Sequence, residues 1–189
     1  MREKLKNIFS NKFIYTFSAI VGSAMVGYLL LVAVYLLPVD TIKANIQVSS
    51  SIQQTESDRY DWAPNILSSA LDGFTDSIML NMAAYKSDRG AFVDAADNIC
   101  LWDDAMGGST VDILFNHVLS ETDGAYDFHY GRYWHGHLLY LKPLLQFLSV
   151  ADIRFLLMVA EFSLTVWLMI LMQSKLGVGK TAIFGFSKS

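Results

Sequence analysis

The longest hydrophobic feature of the chain is a run of 25 residues, 13–37, that contains no charged side chain. A helix needs about 20 apolar residues to cross the hydrocarbon core of a bilayer, so we predict a transmembrane helix over residues 13–37. A secretory signal peptide also begins with a basic segment, but its apolar core is about 7–15 residues long and a small-residue cleavage site follows it. Because this run is longer and no such site follows it, the pattern favours an uncleaved anchor.

Two further apolar stretches occur near the carboxyl end. Residues 153–173 form a second clear span with Glu161 inside it, whereas residues 133–150 contain Lys142 and Pro143 and are short for a crossing. If residues 133–150 do cross, at about 1.5 Å per residue they cover about 27 Å, which fits a thin bilayer. If they are instead re-entrant or interfacial, the lysines of the tail stay in the cytoplasm, which the positive-inside rule favours. We expect three crossings, with residues 174–189 as a tail or as the start of a truncated next span.

Residues 38–132, between the first span and the apolar stretch at 133–150, show helical periodicity. Apolar residues recur at intervals of three and four over residues 64–85, and a shorter pattern covers residues 91–102. Ser109 and Asp112 are spaced like a capping box at the start of another helix. Residues 41–54 have the spacing of an amphipathic helix lying on the membrane surface. We therefore predict an all-α integral membrane protein with a helical exterior domain at residues 38–132.

The charges of the chain divide by segment. Residues 1–12 hold four basic side chains and one acidic one, which predicts a cytoplasmic amino terminus, and residues 38–130 hold 15 acidic and four basic side chains. Nothing in this acidic balance favours nucleic-acid binding. The one cysteine, Cys100, cannot form an internal disulfide, and its apolar surroundings predict a buried thiol. We expect the protein in the inner (cytoplasmic) membrane of a bacterial cell, with residues 38–132 outside.

Three aspartates are candidates for catalysis. Asp72 and Asp76 lie four residues apart and would share one helix face, where they repel each other; they could bind a divalent cation or hold a polar substrate. The alternative is that they belong to the solvated face of an amphipathic helix. Asp40 follows the first span and could act as a general base at the membrane surface.

The stretch Y-G-R-Y-W-H-G-H-L-L-Y, residues 130–140, looks like a metal cluster at first sight. On a regular helix His135 and His137 diverge by about 200°, so they cannot bind one metal ion together, and we predict no metal site there. The rings are typical of the aromatic belt at a membrane boundary. Arg132, His135 and His137 are the candidates for binding a phosphate group.

Two ionisable side chains lie in the apolar carboxyl-terminal region. In an antiparallel pair of helices joined near Asp152, Lys142 and Glu161 lie about 10 and 9 residues from the turn. That gives them a similar depth, and charges inside a membrane are costly unless they are paired. We therefore predict an intramembrane ion pair between Lys142 and Glu161.

Three motifs carry a resemblance to known proteins: L-D-G-F-T-D-S-I-M-L at residues 71–80, R-Y-W-H-G-H-L-L-Y-L-K-P-L-L at 132–145, and A-D-I-R-F-L at 151–156. Their order resembles the amino-terminal part of a group of bacterial multi-pass membrane proteins. Its layout is in turn similar to that of GT-C-type glycosyltransferases, which transfer a sugar from a polyprenyl-phosphate carrier with the help of an acidic residue in the first exterior loop.

The resemblance implies specific roles for residues of this chain. Asp40, Asp72 and Asp76 would be the acidic candidates, and Arg132 with the two histidines would meet the carrier phosphate. Because the group has many more spans, we expect this chain to be an amino-terminal fragment that is inactive alone. The alternative is a small non-catalytic membrane protein whose acidic exterior loop binds a partner.

Overall fold

The computed structural model of the protein describes residues 2–56, 60–61, 70–107, 109–120, 123–130 and 135–176. The chain divides into two compact units, Met1–Phe147 and Leu148–Ser189. Most of the described residues are helical. The helices are α1 (Arg2–Tyr35), α2 (Val39–Val48), α3 (Ser50–Glu56), α4 (Gly73–Ala84), α5 (Ala91–Asp97), α6 (Thr110–Ile113), α7 (Leu138–Leu144) and α8 (Val150–Leu176).

Two helices of the described chain are long and apolar enough to cross a membrane. They are the part of α1 from Lys12 to Tyr35 and the part of α8 from Val150 to Gln173, each of 24 residues with a mean hydropathy of 2.2. At about 1.5 Å per residue, each segment covers about 36 Å, which exceeds the thickness of a hydrocarbon core. The two predicted spans at residues 13–37 and 153–173 are therefore confirmed as long apolar helices.

Helix α4 is the centre of the first unit. It packs against α2, α6 and α7, and it is buried on almost every side because small and apolar residues surround its axis. Ile42 and Ile46 of α2 are fully buried, so this helix turns its apolar stripe into the protein. The amphipathic helix predicted at residues 41–54 is thus a core helix that breaks at Ser49, because α4 offers its apolar face a partner.

The predicted helix over residues 64–85 is shorter than expected. Residues 62–69 lie outside the described part of the chain. Strand β2 (Ala70–Leu71) pairs antiparallel with β1 (Tyr60–Asp61), and the helix begins only at Gly73. Apolar spacing does not by itself mark where a helix starts, and here Asp72 provides the cap that sets the boundary.

The all-α prediction also misses a second pair of antiparallel strands. Strand β3 (Ile99–Trp102) pairs antiparallel with β4 (Tyr126–His129), and β3 lies within residues 91–102, which we predicted to be helical. Helix α5 ends at Asp97, five residues before the predicted end at residue 102. The next residue, Asn98, takes the left-handed conformation with φ of 51° and ends the helix. Asparagine is one of the few residues that adopt this conformation at modest cost.

The segment 133–150, predicted as a membrane helix, is different in the structure. Its described part is a 3₁₀ turn, His135–His137, followed by the seven-residue helix α7. Seven residues cover about 10 Å, too little to cross a bilayer. Leu138, Leu141 and Leu145 are buried in the first unit, so the apolar character of this segment belongs to a protein core.

Candidate functional site

The first unit contains an open cleft with a volume of about 550 Å³ at the carboxyl end of α4. The loop after α4, residues 86–89, forms one wall of the cleft. Helix α2, strands β3 and β4, and a π-helical turn at Leu114–Leu119 contribute the rest. The lining consists of Lys43, Ala84, Tyr85, Lys86, Ser87, Asp88, Arg89, Leu101, His117, Val118 and Asp127.

Basic side chains are concentrated at this cleft. The segment 38–130 has only four of them, and three, Lys43, Lys86 and Arg89, line the cleft; the fourth, Arg59, lies outside the described residues. The cleft lining also holds Asp88 and Asp127, so its formal charge is +1, whereas the segment as a whole carries −11. The cleft is thus a local positive region in an acidic domain.

An imidazole–carboxylate pair lies at the inner side of the cleft. His117 Nε2 is 2.9 Å from Asp103 Oδ2, and the His117 side chain is almost completely buried. His117 belongs to the π-helical turn, a geometry that often occurs at functional sites. A carboxylate next to an imidazole fixes the orientation and tautomer of the ring, which is the arrangement that catalytic histidines use in proton transfer.

A second polar pair faces the cleft. The hydroxyl of Tyr85 donates a hydrogen bond of 2.9 Å to Oδ2 of Asp127. Burial, followed by this hydrogen bond to the carboxylate, raises the pKa of Tyr85 to about 12. The phenol therefore stays protonated at neutral pH and acts as a hydrogen-bond donor rather than as a base.

The loop that carries the cations is held from behind by α5. Asp94 accepts hydrogen bonds from the backbone N–H of Ser87, at 3.1 Å, and from the hydroxyl of the same serine. Arg89 Nη1 is 2.6 Å from Oδ2 of Asp97 in an exposed ion pair. The loop ends at Gly90, whose φ of 91° is a conformation in which a residue with a β-carbon at this position would be strained. Two aspartates of one short helix thus fix the loop's position.

The three predicted catalytic aspartates lie elsewhere. Asp72 caps α4, accepting hydrogen bonds from the backbone N–H of Thr75 at 3.0 Å and from the Thr75 hydroxyl at 2.5 Å. Asp76 lies in the first turn of α4 and Asp40 in the first turn of α2. Carboxylates stabilise a helix amino terminus through its dipole, which explains these positions without catalysis. The described lining of the cleft includes none of the three.

The predicted phosphate-binding residues are also not found in the described lining of the cleft. Arg132 lies outside the described residues. His135 and His137 belong to the 3₁₀ turn, with His137 buried and His135 partly exposed. Neither histidine lines the cleft. Within the described part of the chain, no group of three or more His, Cys, Asp or Glu side chains is arranged to hold a metal ion.

The ion pair expected between Lys142 and Glu161 would join the two units and stays a prediction, but Lys142 has partners within the first unit. Lys142 is fully buried in the first unit; its Nζ donates a hydrogen bond of 2.8 Å to the carbonyl oxygen of Ala83 and lies 4.4 Å from the centroid of the Tyr35 ring. Glu161 belongs to the second unit, where its side chain is exposed. The backbone acceptor and the ring supply the stabilisation that we expected from a carboxylate.

The cleft was not predicted from the sequence, although one signal of it was present. Its cations come from positions 43, 86 and 89, and the His117–Asp103 pair joins residues 14 apart through a folded loop. The scarcity of basic residues in the acidic segment was the available clue. No protein-family model, curated protein or solved structure matches the chain, so the geometry of the cleft is what points to a function.

Proposed function

We propose that this protein is a two-span membrane protein whose helical domain binds the phosphate headgroup of an anionic lipid, of the polyprenyl-phosphate class, in the cleft at the carboxyl end of α4. The proposed location is the cytoplasmic membrane of a bacterial cell, with the domain on its outer face. The length and apolar character of α1 and α8 support the membrane anchor.

The distribution of charge supports a hairpin topology for these two helices. Basic residues dominate in residues 1–12, at the start of α1, and Lys175, Lys180 and Lys188 come at or after the end of α8. With two crossings, both basic ends lie on the cytoplasmic side, in agreement with the positive-inside rule. This proposal takes the place of the three crossings that we expected from the sequence.

The observation that carries the binding proposal is the convergence of Lys43, Lys86 and Arg89 on one cleft of an acidic domain. Ammonium and guanidinium groups are the side chains that recognise phosphate oxygens, and their hydrogen bonds to an anion are charge-assisted and strong. An acidic peptide would offer carboxylates to the same groups, so the choice of ligand rests on where the cleft lies with respect to the first span.

The cleft lies close to the first span along the chain and in space. Lys43 follows the end of the span by eight residues, and the loop with Lys86 and Arg89 leads directly into α5, which packs against α1. A headgroup in the cleft would therefore keep its hydrocarbon chain within reach of the bilayer. This proximity favours a lipid-borne phosphate over a free one.

Sugar transfer from such a carrier remains a prediction of the resemblance described above. An imidazole such as His117 could accept a proton from a hydroxyl acceptor, with Asp103 stabilising the ring. The acidic candidates Asp40, Asp72 and Asp76 do not line the cleft, so we restrict the proposal to lipid-phosphate binding. Recognition of a partner by the acidic loop is the competing function.

The binding proposal is tested with the purified full chain in detergent, using native mass spectrometry to measure the fraction of chain bound to polyprenyl phosphate. Each charge-assisted hydrogen bond contributes about 1.5–3 kcal/mol, so the Lys86→Gln/Arg89→Gln double variant should bind at least about tenfold more weakly. The matched control is Lys6→Gln/Lys12→Gln, which removes two basic residues far along the chain from the cleft and should bind like the unchanged protein.

Two further probes separate the possible ligands. Polyprenol of the same chain length lacks the phosphate and should not compete, and inorganic phosphate should compete only weakly. Equal binding of polyprenol, or equal loss in both double variants, would contradict recognition of the phosphate in the cleft. Competition by inorganic phosphate as strong as that by the lipid would show that the hydrocarbon chain is not recognised.

A further inference from the structure

Helix α5 has its polar and apolar sides reversed with respect to water. Its carboxylate Asp94 is 2% exposed and Ala95 is 1% exposed, whereas Phe92 is 62% exposed and Val93 is 38% exposed. Ala96, one turn after Phe92, is exposed on the same side. A helix at a water-facing surface shows the opposite arrangement, with charged residues outside and apolar residues inside.

The buried side of α5 is fully accounted for. Asp94 accepts hydrogen bonds from Ser87 and thereby fixes the cleft loop, and its negative charge also acts on the buried Lys142. The acid therefore has a structural reason to point inward. The apolar residues on the outer side have no comparable explanation inside the first unit.

The position of α5 along α1 indicates what covers its outer side. The hydroxyl of Tyr28 donates a hydrogen bond of 2.8 Å to the carbonyl oxygen of Phe92. Tyr28 lies seven residues before Tyr35, the end of the apolar span, which corresponds to about 10 Å along the helix axis. If α1 crosses the bilayer as proposed, the backbone of Phe92 lies at the depth of the outermost turns of the span.

A second exposed ring lies at the same end of α1. Gln146 Nε2 donates a hydrogen bond of 3.0 Å to the carbonyl oxygen of Pro38, just after the span. The next residue, Phe147, is 85% exposed, and Leu36 is 73% exposed. Apolar side chains thus protrude on two elements, α5 and the turn after α7, both of which contact α1 or the residues that follow it.

We propose that the outer side of α5 inserts into the lipid bilayer, with Phe92 and Val93 at the boundary between the headgroups and the acyl chains. Interfacial helices bury their apolar face about 5–10 Å into this boundary, which matches the depth at which Tyr28 holds Phe92. Insertion of α5 would hold the cleft loop, residues 86–89, at the level of the lipid phosphates. This inference rests on the membrane anchor of the proposed function.

Depth-dependent fluorescence quenching tests the insertion. In a Cys100→Ala background, single cysteines at Phe92, Val93, Met25 and Tyr126 are labelled with an environment-sensitive dye, and the full chain is reconstituted in vesicles of brominated phosphatidylcholine. Met25 is an exposed residue of the span and is the positive control; Tyr126 is an exposed ring of β4 and is the matched control. Quenching at positions 92 and 93 should approach that at 25 and exceed that at 126.

The outcomes distinguish this inference from the proposed function. Strong quenching at 25 together with weak quenching at 92 and 93, equal to that at 126, would overturn insertion of α5 and leave the anchor and the cleft in place. Weak quenching at 25 would overturn the membrane anchor and the inference with it. Because all four side chains are exposed, we expect each cysteine variant to fold, and a monodisperse elution profile is the check. A disulfide between two chains at position 92 would show that a second copy of the chain covers α5.

Discussion

At the scale of single residues, the sequence predicted what depends on neighbours in the chain. Ser109 accepts a hydrogen bond from the backbone N–H of Asp112 as its spacing predicts, and Cys100 is fully buried. Pairs that depend on the folded chain were missed: Asp103 with His117, and Tyr85 with Asp127, 42 residues away. Nothing local in the sequence brings these residues together, so periodicity and spacing cannot reveal them.

Asp72 gives a prediction that separates a cap from a catalytic carboxylate. Asparagine caps a helix about as well as aspartate, whereas alanine removes the acceptor of the Thr75 N–H and costs about 1 kcal/mol. We therefore expect Asp72→Ala to lower the free energy of unfolding by about this amount and Asp72→Asn to change it little, as measured by thermal unfolding in detergent.

Activity assays on the same variants complete the test. If Asp72→Asn keeps the stability of the protein but abolishes binding or turnover of a lipid-linked sugar, the carboxylate has a chemical role and capping is not its main function. Asp76→Asn, at the next turn of the same helix, is the matched comparison, since Asp76 is not among the residues that line the cleft.

At the scale of elements, the long helices were predictable and the short ones were not. An uncharged run of 25 residues leaves no alternative to a long helix. Residues 99–102 instead fit both the periodicity of a helix and the composition of a strand, and they become β3 because they pair with β4 residues that lie 24 to 30 positions later. Helix α7 was assigned to the membrane because its apolar face looks the same whether lipid or α4 covers it.

Lys142 is the residue that shows which of these environments α7 occupies. Burial lowers the pKa of its ammonium group from 10.5 to about 8. Between these two pH values the unfolded chain binds more protons than the folded one, so the free energy of unfolding rises with pH over this window. The stability that the neutral form of Lys142 gives to the folded protein is fully present above about pH 10.5 and is lost as the pH falls through 8.

The Lys142→Met variant isolates this contribution, because methionine fills a similar shape and does not titrate. We expect the difference in unfolding free energy between the unchanged protein and Lys142→Met to move in favour of the lysine as the pH rises from 8 to 10, by about 1 kcal/mol per pH unit. Lys86→Met, which removes an exposed lysine, is the control for the loss of one charge. A flat difference for Lys142 would contradict the described burial, and a slope that Glu161→Gln abolishes would support the predicted ion pair.

At the scale of the whole molecule, the sequence predicted a mostly helical chain with two long apolar helices, and the structure has them; the three crossings that we expected stay a prediction beside the two that we propose. The acidic segment between the two apolar helices is largely helical, and α2 and α6 pack against α4. The number of crossings depended on residues 133–150, whose described part forms α7 within the first unit. The basic residues before the first span and after the second are what favour two crossings in our proposal.

The central claim is that two crossings hold the domain and its cleft on one side of the membrane and both basic ends on the other. In a Cys100→Ala background, single cysteines replace Lys12, Asp88 and Gln173, at the start of the first span, at the cleft and at the end of the second span. The measurement is labelling of intact cells with a membrane-impermeant maleimide. We predict labelling at position 88 in intact cells and labelling at 12 and 173 only after permeabilisation; labelling of 173 together with 88 in intact cells would contradict the account.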